Sequence, residues 1–308
     1  MRKVFIDGSA GTTGLRIAER LESRDDITLI KLSEENRKDI NARKQALNSA
    51  DIAFLCLPDK ASVEAVALTE NTNTVLLDTS TAHRTNDGWA YGFPELSLEH
   101  KEKIINSKRI AVPGCHASGF IALIYPLIES GILSKDILLS CFSLTGYSGG
   151  GKGMIAEYED ANRDILLKAP RQYGIAQTHK HLPEMAKICG IDNAPAFIPV
   201  VSDFYSGMEV TIPLFASQIK GTIEDIKNVY KNKYQGEIVK YKEDFSENGF
   251  VSANKLSFND GMEILVSGNE DRILLIARYD NLGKGASGAA IQCMNLVLGT
   301  SETKGLNL

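Results

Sequence analysis

Five cysteines and five histidines bound the covalent chemistry open to this chain, and their positions narrow it further. Cys56, Cys115, Cys141, Cys189 and Cys293 are scattered, odd in number and free of any CxxC pair, which fits reduced thiols in a cytoplasmic setting rather than a disulfide framework. Four of them lie within apolar segments, where cysteine behaves as a small buried hydrophobe. Cys115 differs. The segment Pro113-Gly114-Cys115-His116-Ala117-Ser118-Gly119 follows a strand-like run and opens the apolar helical run Phe120 to Ile128. A helix N-terminus favours a thiolate through its dipole and free N–H groups, so Cys115 reads as a nucleophile, with a packing role as the alternative. Such a thiolate needs an acid/base partner. His100 sits in a charged helix, His83 in a polar loop after a strand, and His116 is free to point away from its neighbour along the chain. His179 and His181 stand in Thr178-His179-Lys180-His181-Leu182-Pro183-Glu184, ahead of a helix begun near Pro183. If that stretch is extended, both imidazoles face one way, as a catalytic pair or a structural one. No third ligand has supporting spacing, so no metal is expected.

A second chemical feature is the loop Gly8-Ser9-Ala10-Gly11-Thr12-Thr13-Gly14, set between an apolar strand and a helical pattern. Glycines there permit a tight turn and close backbone approach, while the helix start offers N–H groups to a pyrophosphate. The spacing is a variant of the usual dinucleotide fingerprint, and a ligand-free turn is the alternative. An acidic residue about 20 positions past the glycines would select NAD by binding the ribose 2′-OH. Here the second strand runs into Lys31-Leu32-Ser33 and then Glu34-Glu35-Asn36-Arg37-Lys38. With no carboxylate at the strand end, Ser33, Arg37 and Lys38 are candidates to hold a 2′-phosphate and NADP is favoured; the alternative makes Arg37 and Lys38 solvated helix-start charges.

These groups need a scaffold, and 308 residues with 43% in the hydrophobic set suffice for two domains. Val4 to Ile6, Ile27 to Leu32, Ile52 to Leu57, Val75 to Leu77 and Ile110 to Val112 are short apolar runs separated by helical patterns. Alternation of this kind predicts an α/β, doubly wound (Rossmann) domain with a parallel sheet. After about residue 135 longer strands with partial alternation appear, Ile137 to Thr145, Glu209 to Phe215, Glu263 to Ser267 and Ile273 to Tyr279. They predict an α+β domain on a mostly antiparallel sheet. A small-residue-rich helix, Gly285 to Leu298, closes the pattern at Gly299. The net charge of −5 gives no basic field for nucleic acid. No apolar run nears the ~20 residues of a membrane span, and the N-terminus shows no signal-peptide core.

Taken together, the ordered blocks resemble the N-acetyl-gamma-glutamyl-phosphate reductase family in its shorter form, grouped with aspartate-semialdehyde and glyceraldehyde-phosphate dehydrogenases. The blocks are Gly8 to Gly14, Ser80-Thr81-Ala82-His83-Arg84-Thr85, Tyr91 to Leu96, Pro113 to Cys115, Gly146 to Lys152, His179 to Glu184, Phe204 to Met208 and Asp280 to Gly288. One departure is His116, where the family usually has an aromatic residue. The resemblance implies NADPH-dependent reduction of an acyl phosphate in arginine biosynthesis through a Cys115 thioester. Matching the H-x-H-x-P-E block assigns the acid/base to His181, assisted by His179, with the primary group left open. It adds Ser80, Asn281, Gly283 and Lys284 on the cofactor side. Arg84 becomes a candidate for the substrate's carboxylate or phosphate, or else an interdomain ion pair. Ser148, Gly149 and Lys152 become a phosphate cradle, or else a surface or subunit-contact loop. Residues 1–114 with 283–308 are expected to form the NADP domain and 115–282 the catalytic and dimerisation domain, in a homodimer or homotetramer. Two rivals share the motifs: a sister dehydrogenase acting on an aspartyl or aminoadipyl phosphate, and a non-catalytic NADP sensor, which need not place a cysteine at a helix start.

Overall fold

The computed structural model describes residues 1–308 and divides the chain into two compact units, Met1–Gly114 with Ala286–Leu306, and Cys115–Gly285 with Asn307–Leu308. The first unit alternates strand and helix: β1 (Arg2–Asp7), α1 (Thr12–Glu22), β2 (Ile27–Ile30), α2 (Ile40–Ser49), β3 (Ile52–Leu55), α3 (Asp59–Leu68), β4 (Val75–Asp78), β5 (Ala90–Tyr91), α4 (Leu98–Asn106) and β6 (Arg109–Ala111). The six strands pair in parallel in the order β2-β1-β3-β4-β6-β5. Because side chains alternate across a strand, Val4 and Ile6 of β1 enter one apolar cluster with Ile17 and Leu21, while Phe5 enters another with Leu47 and Ala65. The sheet is thus covered on both faces, as a parallel sheet must be. Strand order reverses between β1 and β3, the place where doubly wound sheets open a crevice at their carboxyl ends.

The second unit begins with α5 (Cys115–Glu129) and continues through β7 (Ser140–Gly146), α6 (Gly151–Glu159), β8 (Arg171–Gln172), α7 (Leu182–Cys189), β9 (Ala196–Ser202), β10 (Met208–Phe215), α8 (Ile223–Lys233), β11 (Val239–Tyr241), β12 (Met262–Gly268) and β13 (Arg272–Tyr279). Its seven strands run β11-β12-β13-β10-β7-β9-β8. The sheet is mixed: four pairings are antiparallel, but β7–β9 and β11–β12 are parallel. One face, carrying Val210, Ile212 and Leu275, is buried. On the other, Phe215 and Leu274 stay exposed. Helix α5 is buried almost all round, the signature of a helix enclosed by protein.

The last helix, α9 (Gly288–Leu298), belongs to the first unit, where Ala289, Ile291, Cys293 and Met294 join the cluster of Val4 and Ile6. The crossing falls at Gly285, three residues later than the boundary drawn from sequence. The delay has a local cause: Asp280, fully buried, accepts hydrogen bonds from the Leu282 and Gly283 amides through Oδ1 and from Ser206 Oγ and the Phe258 amide through Oδ2. That carboxylate holds the turn to the second unit. The tail does likewise, Asn307 and Asp260 exchanging hydrogen bonds.

Candidate functional site

Cys115 is the first residue of α5 and is half-buried. Two features fix its backbone. The Tyr279 hydroxyl, from the end of β13, donates to the Cys115 carbonyl at 2.6 Å and accepts from the Gly119 amide at 3.0 Å, clasping the pair an α-helix would itself join. A side chain at Gly119 would meet Tyr279 Oη at 2.6 Å, so only glycine admits the clasp. From the other side, the turn held by Asp280 seats Gly285 so close that a Cβ there would lie 3.0 Å from Cys115 Cβ. The remaining cysteines are held as thiols or buried: burial pushes Cys56 up to about 12 and raises Cys141 and Cys189 further, while Cys293 donates to the Gly92 carbonyl. Cys56 is the exception to the expected burial, half-exposed just past β3.

The histidines form a group of three rather than a pair. His116 is buried, its Nδ1 2.7 Å from Ser143 Oγ and its Nε2 2.5 Å from the Tyr173 hydroxyl. Its ring centroid lies 5.5 Å from that of His179 and 5.6 Å from that of His181, which are 4.7 Å apart. Burial, then the neighbouring His179, lower the His116 pKa to about 3, so it is neutral at working pH. Burial, then the Cys115 charge, raise the Tyr173 phenol, and His116, which it bonds, directly follows Cys115 in α5. The His179–His181 stretch is not extended: it is a turn in which the His181 amide donates to His179 Nδ1, and His181 serves as N-cap residue of α7 with helical backbone angles. The rings meet edge to face instead of side by side.

Sequence reading passed over His116, Tyr173, Tyr279 and Ser143. His116, free on sequence grounds to point away along the chain, is turned into the protein, and the uniformly apolar α5 is the sign that every side of that helix is enclosed. Tyr173, an aromatic residue in a polar stretch, gave a fainter signal. His83 and His100 lie elsewhere: His83 is stacked on Trp89 and bonded to Asp78, and His100 bonds Ser97 at the start of α4.

In the first unit the glycine loop joins β1 to α1. Gly8 has a φ of +86°, and a Cβ there would meet the Cys56 carbonyl oxygen at 2.2 Å; one at Gly14 would meet the Gly8 oxygen at 2.4 Å. Helix α1 starts without a side-chain cap, and the Thr12 hydroxyl oxygen is buried with no hydrogen-bond partner. An uncapped helix start beside an orphaned hydroxyl, in a cradle only glycine can line, fits a pyrophosphate. Ser33, Arg37 and Lys38 lie in an exposed turn after β2, with Arg37 paired to Glu34 at 3.1 Å. They are not helix-start charges, because α2 begins at Ile40 with Asp39 as its cap. Ser80 spends its hydroxyl on Asp78, and Arg84 is buried with Nε on the Val112 carbonyl and Nη2 on that of Thr79.

The other cofactor-side and substrate-side candidates fall in the second unit. Asn281 accepts from the Gly207 amide and donates to Ser148 Oγ, while Gly283 and the buried Lys284 continue the Asp280 turn. Gly149 lies against Asn281, whereas Lys152 is an exposed second residue of α6.

Comparison with known proteins agrees with this layout. The model for the semialdehyde dehydrogenase NAD binding domain matches residues 3–104, and that for the semialdehyde dehydrogenase dimerisation domain matches residues 115–281. N-acetyl-gamma-glutamyl-phosphate reductase of Brucella ovis is 45% identical over 307 residues, covering 96% of this chain and 99% of that one. N-acetyl-gamma-glutamyl-phosphate reductase 2 of Nostoc sp. is 41% identical over 318 residues, covering 99% of each. Among solved structures, aspartate semialdehyde dehydrogenase from Francisella tularensis superposes with a TM-score of 0.73 at 16% identity, over 97% of this chain and 100% of that one. Aspartate semialdehyde dehydrogenase II from Vibrio cholerae gives 0.71 at 17%, over 98% and 99%. These two share the fold. The chain belongs to the semialdehyde dehydrogenase family and, within it, to the N-acetyl-gamma-glutamyl-phosphate reductases.

Proposed function

We propose that this oxidoreductase converts N-acetyl-L-glutamyl 5-phosphate and NADPH into N-acetyl-L-glutamate 5-semialdehyde, NADP and phosphate, as a cytoplasmic step of arginine biosynthesis. The observation that carries the chemistry is Cys115, pinned at the start of α5 by Tyr279 and followed by three clustered imidazoles. The thiolate attacks the acyl carbon; the C–S bond forms as the C–O bond to phosphate breaks, leaving a thioester. When bound, the reduced nicotinamide supplies the hydride. On the cysteine, the resulting oxyanion receives a proton and returns it as the C–S bond breaks to free the aldehyde. His181, assisted by His179, carries that proton. His116, neutral and bonded at both nitrogens, is not the group that titrates.

For the cofactor, Gly8, Ser9, Gly11, Thr12, Thr13 and Gly14 would cradle the pyrophosphate, with Ser33, Arg37 and Lys38 at the 2′-phosphate. Ser80, Asn281, Gly283 and Lys284 act from the nicotinamide side mainly by shaping backbone, since the Ser80 and Asn281 side chains are committed within the protein. Arg84, Ser148, Gly149 and Lys152 are the substrate-side candidates. The exposed face of the second sheet, with Phe215 and Leu274, is proposed as the contact in a homodimer or homotetramer. Phosphate-dependent oxidation of N-acetylglutamate semialdehyde and aspartate semialdehyde, run in parallel, tests the substrate: faster turnover of the latter refutes this reading. Cys115→Ser is expected to abolish turnover while leaving NADP affinity unchanged, and a variant that still turned over would refute the thioester route.

A further inference from the structure

The Ser143–His116–Tyr173 chain has a direction that its hydrogen-bond inventory reveals. Ser143 is fully buried in β7, and its hydroxyl has one partner, His116 Nδ1. A hydroxyl both donates and accepts, whereas a neutral imidazole has one nitrogen of each kind. Were Nδ1 to carry the imidazole proton, the Ser143 hydrogen would be left in the interior with no acceptor, the costly arrangement for a buried donor. Donation from Ser143 to Nδ1 removes that orphan and puts the ring proton on Nε2. In that tautomer Nε2 donates to the Tyr173 oxygen, which leaves the Tyr173 hydrogen available to a bound group. The Tyr173 phenol is held by His116, the residue that directly follows Cys115 at the start of α5.

We propose that Tyr173 is a catalytic residue, the hydrogen-bond donor to the acyl oxygen of the substrate carried on Cys115, and that His116 and Ser143 are positioning residues that aim its hydrogen there. The proposal rests on the acyl-phosphate reading above. No proton leaves Tyr173: the hydroxyl steadies negative charge as it develops on the acyl oxygen, acting as an oxyanion-hole donor. Burial and the Cys115 charge both oppose its ionisation, so it stays a donor throughout. Proton transfer remains with His181.

The test combines kinetics with a direct view of the tautomer in the full-length protein. Tyr173→Phe is expected to lower kcat about a hundredfold with little change in KM, as loss of one oxyanion donor does. His116→Asn keeps an acceptor for Ser143 but cannot reach Tyr173, and is expected to lower kcat about tenfold. His116→Gln, which restores a terminal N–H, should recover most of that loss. The double variant Tyr173→Phe/His116→Asn should be no slower than Tyr173→Phe alone, because His116 acts through Tyr173. Nitrogen-15 spectra of histidine-labelled protein, with His116 assigned by its absence in His116→Asn, should show the proton on Nε2. Multiplicative losses in the double variant, an unaltered kcat in Tyr173→Phe, or a proton on Nδ1 would each overturn the proposal. Failure of the wild-type protein to turn over N-acetylglutamate semialdehyde would instead refute the substrate reading, and the spectrum would still decide the relay.

Discussion

Between neutrality and pH 5 one buried imidazole should contribute to the loss of stability. His116 in the folded state resists protonation down to about pH 3, whereas in the unfolded chain it titrates near 6.5. Below pH 6.5 the unfolded state therefore binds the extra proton, and stability present above that pH is lost as pH falls toward 3, at about 1.4 kcal/mol per unit. Urea unfolding at pH 7.5 and 5.0 should show the wild type losing about 2 kcal/mol more than His116→Asn over that interval. The proposed 2′-phosphate contact can be probed at a single residue. Arg37→Ala should weaken the preference for NADPH over NADH, compared as ratios of kcat/KM, by about tenfold, a fraction of what one charge-assisted contact is worth; its partner Glu34 blunts the effect. Cys115 was legible in the chain because a cysteine opening a helix is a local pattern. His116 and Tyr173 were not, since their contact joins residues 57 apart and depends on a turn whose course no periodicity records.

Among the elements, α5 matters most, because its first turn is completed by a side chain from β13. Gly119→Ala pushes a methyl group against Tyr279 Oη and Val210 Cγ2, at 2.6 and 2.7 Å. The overpacking should destabilise the protein by roughly 1–3 kcal/mol, measured by urea unfolding, with a further drop in kcat as Cys115 loses its clasp. Tyr279→Phe/Gly119→Ala should lose less than the two separate changes sum to, since each disturbs one contact. The repeating βα pattern and the long strands β10, β12 and β13 were readable from apolar alternation. Strand β9 was not: Pro199 breaks its run Ala196–Ser202, yet the strand sits between β7 and β8 and the Pro199 carbonyl accepts from the Tyr173 amide. Proline removes a donor, not an acceptor, so the strand keeps its pairing with β7 through Pro199. That missed strand is the one that holds Tyr173.

At the scale of the whole molecule, the glycine cradle and the proposed nucleophile fall in different compact units. The glycine loop belongs to the first; Cys115, the three imidazoles, Tyr173 and Tyr279 all belong to the second. Gly8→Ala, which forces a side chain into a left-handed backbone against Cys56, should weaken NADPH binding by about tenfold or more, followed by its fluorescence. The same variant should still release phosphate on mixing with the acyl phosphate, in one burst per Cys115. The two-domain division was legible because parallel and mixed sheets differ in texture; the crossing at Gly285 was not, because it is fixed by Asp280 and its partners in sequence-distant loops.

The burial of the other thiols bears on oxidative injury. Cys141, Cys189 and Cys293 lie within packed interior, while Cys56 is half-exposed with its thiol pushed up to about 12 by burial. A peroxide or electrophile is therefore expected to react first at Cys115, the sulfur on which the proposed turnover depends. Three of the four other thiols are out of reach, so loss of activity should track such encounters closely and bound substrate should slow it.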